Sequence, residues 1–242
     1  MTWDMAQNIK NYHSHTPWIP ATDSCHKTLG QTTLDLWLIS LEHPLQVDVL
    51  SEDEIHRLNR YRFARDQRKF AVARSGLRRI LARYSQRDPV NLCFDYGPHG
   101  KPFLRGNASL QFNLSHSGEY ALCGVARVAI GVDIEQLRPM DRLDGLIQRC
   151  LAISEQKALA NVSTDQQSVG FLQYWTCKEA YLKATGQGIS ESLTSIEVDL
   201  ENKPQLKIPG QSWQLQIVKP RDGYTAAVVM PPTITQTRFW SY

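Results

Sequence analysis

A chain of 242 residues is long enough for one large domain or two small ones, each able to bury a proper core. Its 42% hydrophobic and 21% charged residues are ordinary for a globular protein. A membrane helix needs roughly 20 apolar residues, and the best run here, ALCGVARVAIGV, is broken by Arg127.

The N-terminus carries an early Asp4 and no apolar stretch, which argues against a secretory leader. Five cysteines, an odd number without a CxxC pair, suit a reducing compartment, so a cytoplasmic protein is expected. Net charge is +3, yet residues 57–87 hold eleven Arg or Lys against one acid, Asp66. That local excess favours a polyanion: nucleic acid, a phosphorylated cofactor or an acidic protein.

In chain order, residues 1–30 lack a clear period and read as a loosely ordered lead-in, with His13 and His15 as surface residues. LDLWLIS (34–40) alternates as a strand. Ser51 with Glu54 forms a capping-box signature for a helix that runs to about Arg62. A longer helix follows over 66–84, with Phe70, Ala73, Leu77, Ile80, Leu81 and Tyr84 as its apolar stripe. Arg68, Arg74, Arg78 and Arg79 lie off that stripe. DYGPHGKPFL (95–104) reads as a Gly/Pro loop presenting Lys101, and residues 110–135 as three successive antiparallel strands. Helices are expected near 142–150 and 154–161, then a long one over 167–185 stopped by Gly186 and Gly188. Strands at 196–200, 213–218 and 224–230 complete the pattern.

Both halves therefore run strand, helices, long helix, antiparallel strands. The expected fold is α+β, with two similar pseudo-symmetric halves, 31–128 and 129–242, each placing a long helix on a small antiparallel sheet. The active site is expected in the cleft between them.

Chemistry concentrates in GVDIE (131–135) and WTCKEAYLKATGQG (175–188). Strand alternation sends Asp133 and Glu135 to one face, while Val132 and Ile134 enter a core. Positions four apart put Trp175, Glu179 and Lys183 on one helical stripe. Two acids on a strand facing a third on a helix make a hard oxygen site of the kind Mg2+ accepts, and Lys183 beside it suggests a shared phosphate. Taken singly, each of these residues reads as an ordinary surface or strand side chain; their joint occurrence is what carries the argument.

FNLSHS, GVDIE and WTCKEAYLKATGQG, in that order with GKP upstream, resemble the surfactin-synthetase-associated class of 4′-phosphopantetheinyl transferases, closest to its broad-range cyanobacterial members. The resemblance covers roughly residues 34–230. It implies transfer of the phosphopantetheine arm of coenzyme A to a serine of carrier proteins of fatty-acid, polyketide or nonribosomal-peptide synthesis, releasing adenosine 3′,5′-bisphosphate. It implies Mg2+, with Mn2+ as a substitute, on Asp133, Glu135 and Glu179; Glu179 is also a candidate proton acceptor, directly or through water. It places Arg57 on the 3′-phosphate, Lys183 on the pyrophosphate, and Lys101, Pro102, Asn113, Ser115 and His116 in coenzyme-binding loops, His116 reaching a phosphate oxygen. Arg60, Arg74 and Arg78 are expected on phosphate or on the acidic helix of a carrier.

The family's Arg-Phe-Phe run is replaced by Arg149-Cys150-Leu151, followed by Glu155 as a supporting acid of the site. A monomer is expected, with no nucleic-acid or membrane partner. A non-catalytic binder of coenzyme A or carrier proteins is the alternative; it would be expected to have lost a metal ligand or the lysine.

Overall fold

A computed structural model describes residues 17–21, 29–188, 193–201 and 203–242. His13 and His15, and most of the 1–30 lead-in, lie outside the described residues. Two compact units are present. One is built on Trp18–Val128 with Ile234–Tyr242, the other on Ala129–Thr233.

The first unit contains β1 (Ile19–Pro20), β2 (Thr33–Ser40), α1 (Glu52–Asn59), α2 (Ala64–Ser85), β3 (Phe94–Tyr96), β4 (Pro102–Leu104), β5 (Gln111–Ser117) and β6 (Tyr120–Ala126). The capping box forms as expected: the Glu54 N–H donates to Ser51 Oγ, and the Ser51 N–H donates to Glu54 Oε2 at 2.9 Å. The 22-residue α2 buries Ala73, Leu77, Ile80 and Leu81 against Trp37 and Ile39 of β2 and Cys123 and Val125 of β6. β2 is buried from Thr33 to Ile39, so it is a central strand covered on both faces, where alternation had suggested a half-buried one.

A further strand, β12 (Gln236–Ser241), takes the edge of β2 opposite β6 and so makes it central. The sheet order is β1-β12-β2-β6-β5, with β12 parallel to both β1 and β2. The expected C-terminal half, 129–242, is corrected accordingly: its last nine residues belong to the first unit. Arg238 explains the placement. Its guanidinium donates to both oxygens of Asp35, at 2.6 and 2.7 Å, and Asp35 is fully buried on β2.

The second unit contains β7 (Gly131–Gln136), α3 (Leu143–Cys150), α4 (Ile153–Ala160), α5 (Thr164–Thr185), β8 (Glu197–Asp199), β9 (Gln205–Lys207), β10 (Gln214–Val218) and β11 (Tyr224–Met230). Its sheet is antiparallel in the order β10-β11-β7. β5 and β6 form the expected hairpin, but β7 does not continue it; β7 pairs with β11 in this separate sheet. Cys150 and Leu151, standing where the family has aromatics, are buried in the core under α5.

Within each unit the order is the same. A strand, two or three helices ending in one of 22 residues, a short hairpin (β3/β4 or β8/β9) and an antiparallel pair follow one another. The sheets β2-β6-β5 and β7-β11-β10 then correspond strand for strand.

Candidate functional site

In the second unit, one close contact sets the site. A Cβ on Gly131 would lie 2.0 Å from the Ala180 carbonyl oxygen and 2.3 Å from the Ala184 nitrogen, so the backbone of α5 rests directly on β7. No residue with a side chain permits that approach. Because Gly131, Asp133 and Glu135 share a strand face, the same contact turns both acids toward the helix that carries Glu179 and Lys183.

Lys183 Nζ donates to Asp133 Oδ1 at 2.6 Å and stands 3.9 Å from Glu179 Oε2. Asp133 and Glu179 are buried, and Glu135 is half-buried. Glu179 Oε1 is buried without any hydrogen-bond donor. Burial pushes the Glu179 carboxyl above the usual range, and the charges of Asp133 and Glu135 push it further, against the pull of Lys183. Lys183 thus contacts two acids, Asp133 and Glu179, and the charge of Glu135 also acts on Glu179. Among the described residues, no three His, Cys, Asp or Glu side chains form a ready-made metal-ligand group.

Below Glu179 sits a buried ion pair that sequence reasoning did not assign. Lys178, fully buried, donates to the Leu193 carbonyl at 2.8 Å and pairs with Glu155 at 2.7 Å. Glu155 also accepts from the Ala152 and Val198 N–H groups at 2.6 and 2.8 Å. Glu155 is therefore the anchor of the residue preceding Glu179. Lys178, immediately before the acid in Trp-Thr-Cys-Lys-Glu, was the available signal. Trp175 packs at the core edge and stacks on Phe171 at 6.3 Å, so it positions the helix.

In the first unit, Arg57 lies in the last turn of α1, with its guanidinium 5.3 Å above the Phe70 ring. It lines a pocket of about 230 Å³ together with Phe70, Arg74, Phe94, Tyr96 and Arg105. Arg74 and Arg78 are not the outward-facing groups their position off the apolar stripe suggested. Both are buried, both bond Glu54, and both stack on Phe94, at 4.4 and 5.2 Å. Arg78 also donates to the carbonyls of Pro89 and Leu92. Burial opposes ionisation of Glu54, but Arg74, the Ser51 N–H and Arg78 outweigh it and hold the carboxyl below its ordinary value.

The GKP residues sit on the β3/β4 hairpin, where Lys101 closes a turn by accepting from the Gly97 N–H at 2.9 Å, and Pro102 opens β4. Burial brings the Lys101 ammonium down to about 8. On β5, Asn113 and Ser115 are buried while His116 is exposed. Lys101, Pro102, Asn113, Ser115 and His116 do not line the Arg57 pocket.

Coupled carboxylates beside a lysine in one unit, and an arginine-lined pocket in the other, are what a protein handling phosphate esters requires. Comparison with known proteins gives the family. A model described as the 4′-phosphopantetheinyl transferase superfamily matches residues 129–229, and one described as 4′-phosphopantetheinyl transferase, N-terminal, matches residues 39–127. The 4′-phosphopantetheinyl transferase HetI of a Nostoc species is 39% identical over 238 residues, covering 94% of this chain and 99% of its own. Sfp of Bacillus subtilis, also a 4′-phosphopantetheinyl transferase, is 26% identical over 175 residues, covering 72% and 77%. A solved holo-(acyl-carrier-protein) synthase from Bacillus anthracis, in complex with CoA (3′,5′-ADP), is 30% identical with a TM-score of 0.38, covering 42% of this chain and 93% of that one. The chain belongs to the 4′-phosphopantetheinyl transferase superfamily and carries the motifs of its surfactin-synthetase-associated, cyanobacterial-like class.

Proposed function

We propose that this protein transfers the 4′-phosphopantetheine arm of coenzyme A to a serine hydroxyl of apo carrier proteins, releasing adenosine 3′,5′-bisphosphate. The observation that supports this best is the orphaned, buried Glu179 oxygen, beside the charges of Asp133 and Glu135. A buried acid of that kind is costly unless a cation or a proton is its intended partner. The donor set is all oxygen, which suits Mg2+, with Mn2+ as a substitute.

Asp133, Glu135 and Glu179 would hold that ion, whose chemistry is to neutralise charge on the pyrophosphate. Lys183 would add a second positive charge there. Glu179, its affinity for protons raised by burial, takes the proton of the attacking serine, directly or through a water. A bond from the serine oxygen to the pantetheine-bearing phosphorus forms as the bond to the bisphosphate leaving group breaks. Arg57 in its pocket would receive the 3′-phosphate. Lys101, with its charge near the balance point at pH 8, is ready to be held protonated by the coenzyme's phosphates, while Pro102, Asn113, Ser115 and His116 shape the loops beside them.

The carriers are those of fatty-acid, polyketide or nonribosomal-peptide synthesis. The protein would act as a cytoplasmic monomer without nucleic-acid or membrane partners. Its four described cysteines are all unpaired, and no described helix is long and apolar enough to cross a membrane.

The test is mass spectrometry of a purified apo carrier incubated with the protein, coenzyme A and Mg2+. The carrier is expected to gain one phosphopantetheine arm, and EDTA is expected to abolish the gain. An unchanged carrier mass across a panel of apo carriers overturns the reading.

A further inference from the structure

Between α1 and α2 the chain turns through Arg60, Tyr61, Arg62 and Phe63, and this turn is built against its own local stability. Phe63 is the N-cap of α2, a position where Ser, Thr, Asp or Asn satisfies an orphan N–H and is typically worth ~1 kcal/mol over an apolar residue. Phe63 makes no such bond, and the residue is 60% exposed. Its neighbour Tyr61 turns inward onto Phe70, with ring centroids 5.4 Å apart. Phe63 instead receives the guanidinium of Arg62, 5.3 Å above its ring.

The surrounding cations differ from the rest of the basic segment. Arg74, Arg78 and Arg79 are committed to Glu54 or Asp48, Arg68 to the carbonyls of Glu42 and His43, and Lys69 to Glu119. Arg60 and Arg62 make no ion pair or side-chain hydrogen bond among the described residues. Arg65 is 79% exposed at its side chain and reaches Asp66 only at 3.9 Å. Arg60 also lines an open depression with His56, Arg57 and Tyr61. An exposed aromatic ring among uncommitted arginines is the composition of an interface anchor.

We infer that this turn docks the carrier protein, through an acidic face of the carrier that carries an apolar residue for Phe63. The inference rests on the transfer reaction proposed above, which needs a second, protein substrate. The charge of the turn fixes the sign of that substrate's face. A nucleic-acid surface would interleave several stacking rings with its cations, and this turn exposes one. Exposed charges of this kind act on encounter rate and ionic-strength dependence, while the ring supplies the contact that holds the complex.

The test uses the full chain, saturating coenzyme A and a purified apo carrier domain of net negative charge. Phe63→Ser and the double variant Arg62→Glu/Arg65→Glu are each expected to raise KM for the carrier about tenfold or more, equivalent to roughly 1.4 kcal/mol per tenfold. KM for coenzyme A is expected to stay at its wild-type value; the melting temperature should not fall in either variant, and Phe63→Ser, which supplies the missing cap, should raise it. Added salt should raise the carrier KM of the wild type more steeply than that of the double variant. If wild type transfers but both variants keep its carrier KM, the docking surface lies elsewhere and the inference fails alone. A rise in KM for coenzyme A instead would reassign the turn to the coenzyme and also overturn it. Loss of oligonucleotide or anionic-vesicle binding in the double variant, with carrier KM unchanged, would do the same. Absence of transfer by wild type to any carrier removes the reaction and this surface together.

Discussion

Glu179 is held where its charged form is least comfortable, and that discomfort is the site's chemical asset. Burial is the largest influence on its carboxyl, followed by the charges of Asp133 and Glu135, with Lys183 pulling the other way. Because its folded value lies above the unfolded one near 4.3, Glu179 favours the folded state fully at pH below that value. That contribution is lost as pH rises through the folded value. Replacing it with Gln keeps the shape and removes the charge. Glu179→Gln is therefore expected to lose transfer by about 10²-fold or more, consistent with removal of a positioned proton acceptor. At neutral pH without divalent ion, the same variant should unfold at a denaturant concentration no lower than wild type, and above it if repulsion among the acids is strong. Urea titrations in EDTA at acidic and neutral pH check the sign: the variant's advantage must grow as pH rises. A variant that transfers at wild-type rate would remove Glu179 from both roles.

At the scale of elements, what aligns the four site residues is the contact of α5 with β7 through Gly131. Gly131→Ala would drive a methyl into the Ala180 carbonyl and the Ala184 nitrogen, both backbone atoms that cannot rotate away. The helix must then lift from the strand, at an expected cost of 1–3 kcal/mol or somewhat more. Asp133 should lose its register with Lys183, so kcat should fall beyond what the loss of folded protein explains. Gly145→Ala on α3 is the control, since a Cβ there meets nothing within 4 Å. It should be neutral or stabilising by up to ~1 kcal/mol. Equal effects from the two changes would mean that the contact is unimportant.

Elements were the part of the structure most legible in the sequence. The Ser51/Glu54 box, both long helices, the β5/β6 hairpin and β11 follow from caps and periodicity. Periodicity reports which face of an element is apolar, but not which partner covers the other face. Arg74 and Arg78 are buried because Glu54, some twenty residues upstream, and the Phe94 ring receive them. A stripe count along one helix cannot register that pairing. The same limit hid the departure of β7 from the β5/β6 sheet and the ion pair of Lys178 with Glu155.

For the whole molecule, the repeat of order is complete from β2 to β6 and from β7 to β11, and β12 falls outside it. In sequence, QTRFWS carries few apolar residues and was not expected as a strand. Its strand character comes from pairing with β2, some 200 positions away, and from the fit of Arg238 to Asp35. Asp35 is fully buried, and its carboxylate accepts from Arg238 and from the Tyr84 hydroxyl at 2.7 Å; the Tyr84 oxygen in turn accepts from Trp37 Nε1 at 2.8 Å. The last strand, the central strand and the long helix of the first unit are thus joined through one carboxylate. Arg238→Ala leaves that carboxylate buried without its cation. Breaking a buried pair in this way usually costs about 3–5 kcal/mol, and the partial exposure of Arg238 argues for the lower end. At roughly 2–4 °C per kcal/mol for a chain of this size, the melting temperature should fall by about 6–12 °C. The double variant Arg238→Met/Asp35→Leu, which removes both charges, should recover much of that loss. Calorimetry beside a thermal melt followed by tryptophan emission, with Trp37 inside the network, would show whether the first unit melts early. A single variant melting within a degree or two of wild type would mean that backbone pairing alone holds β12, and that Asp35 has another cation to meet.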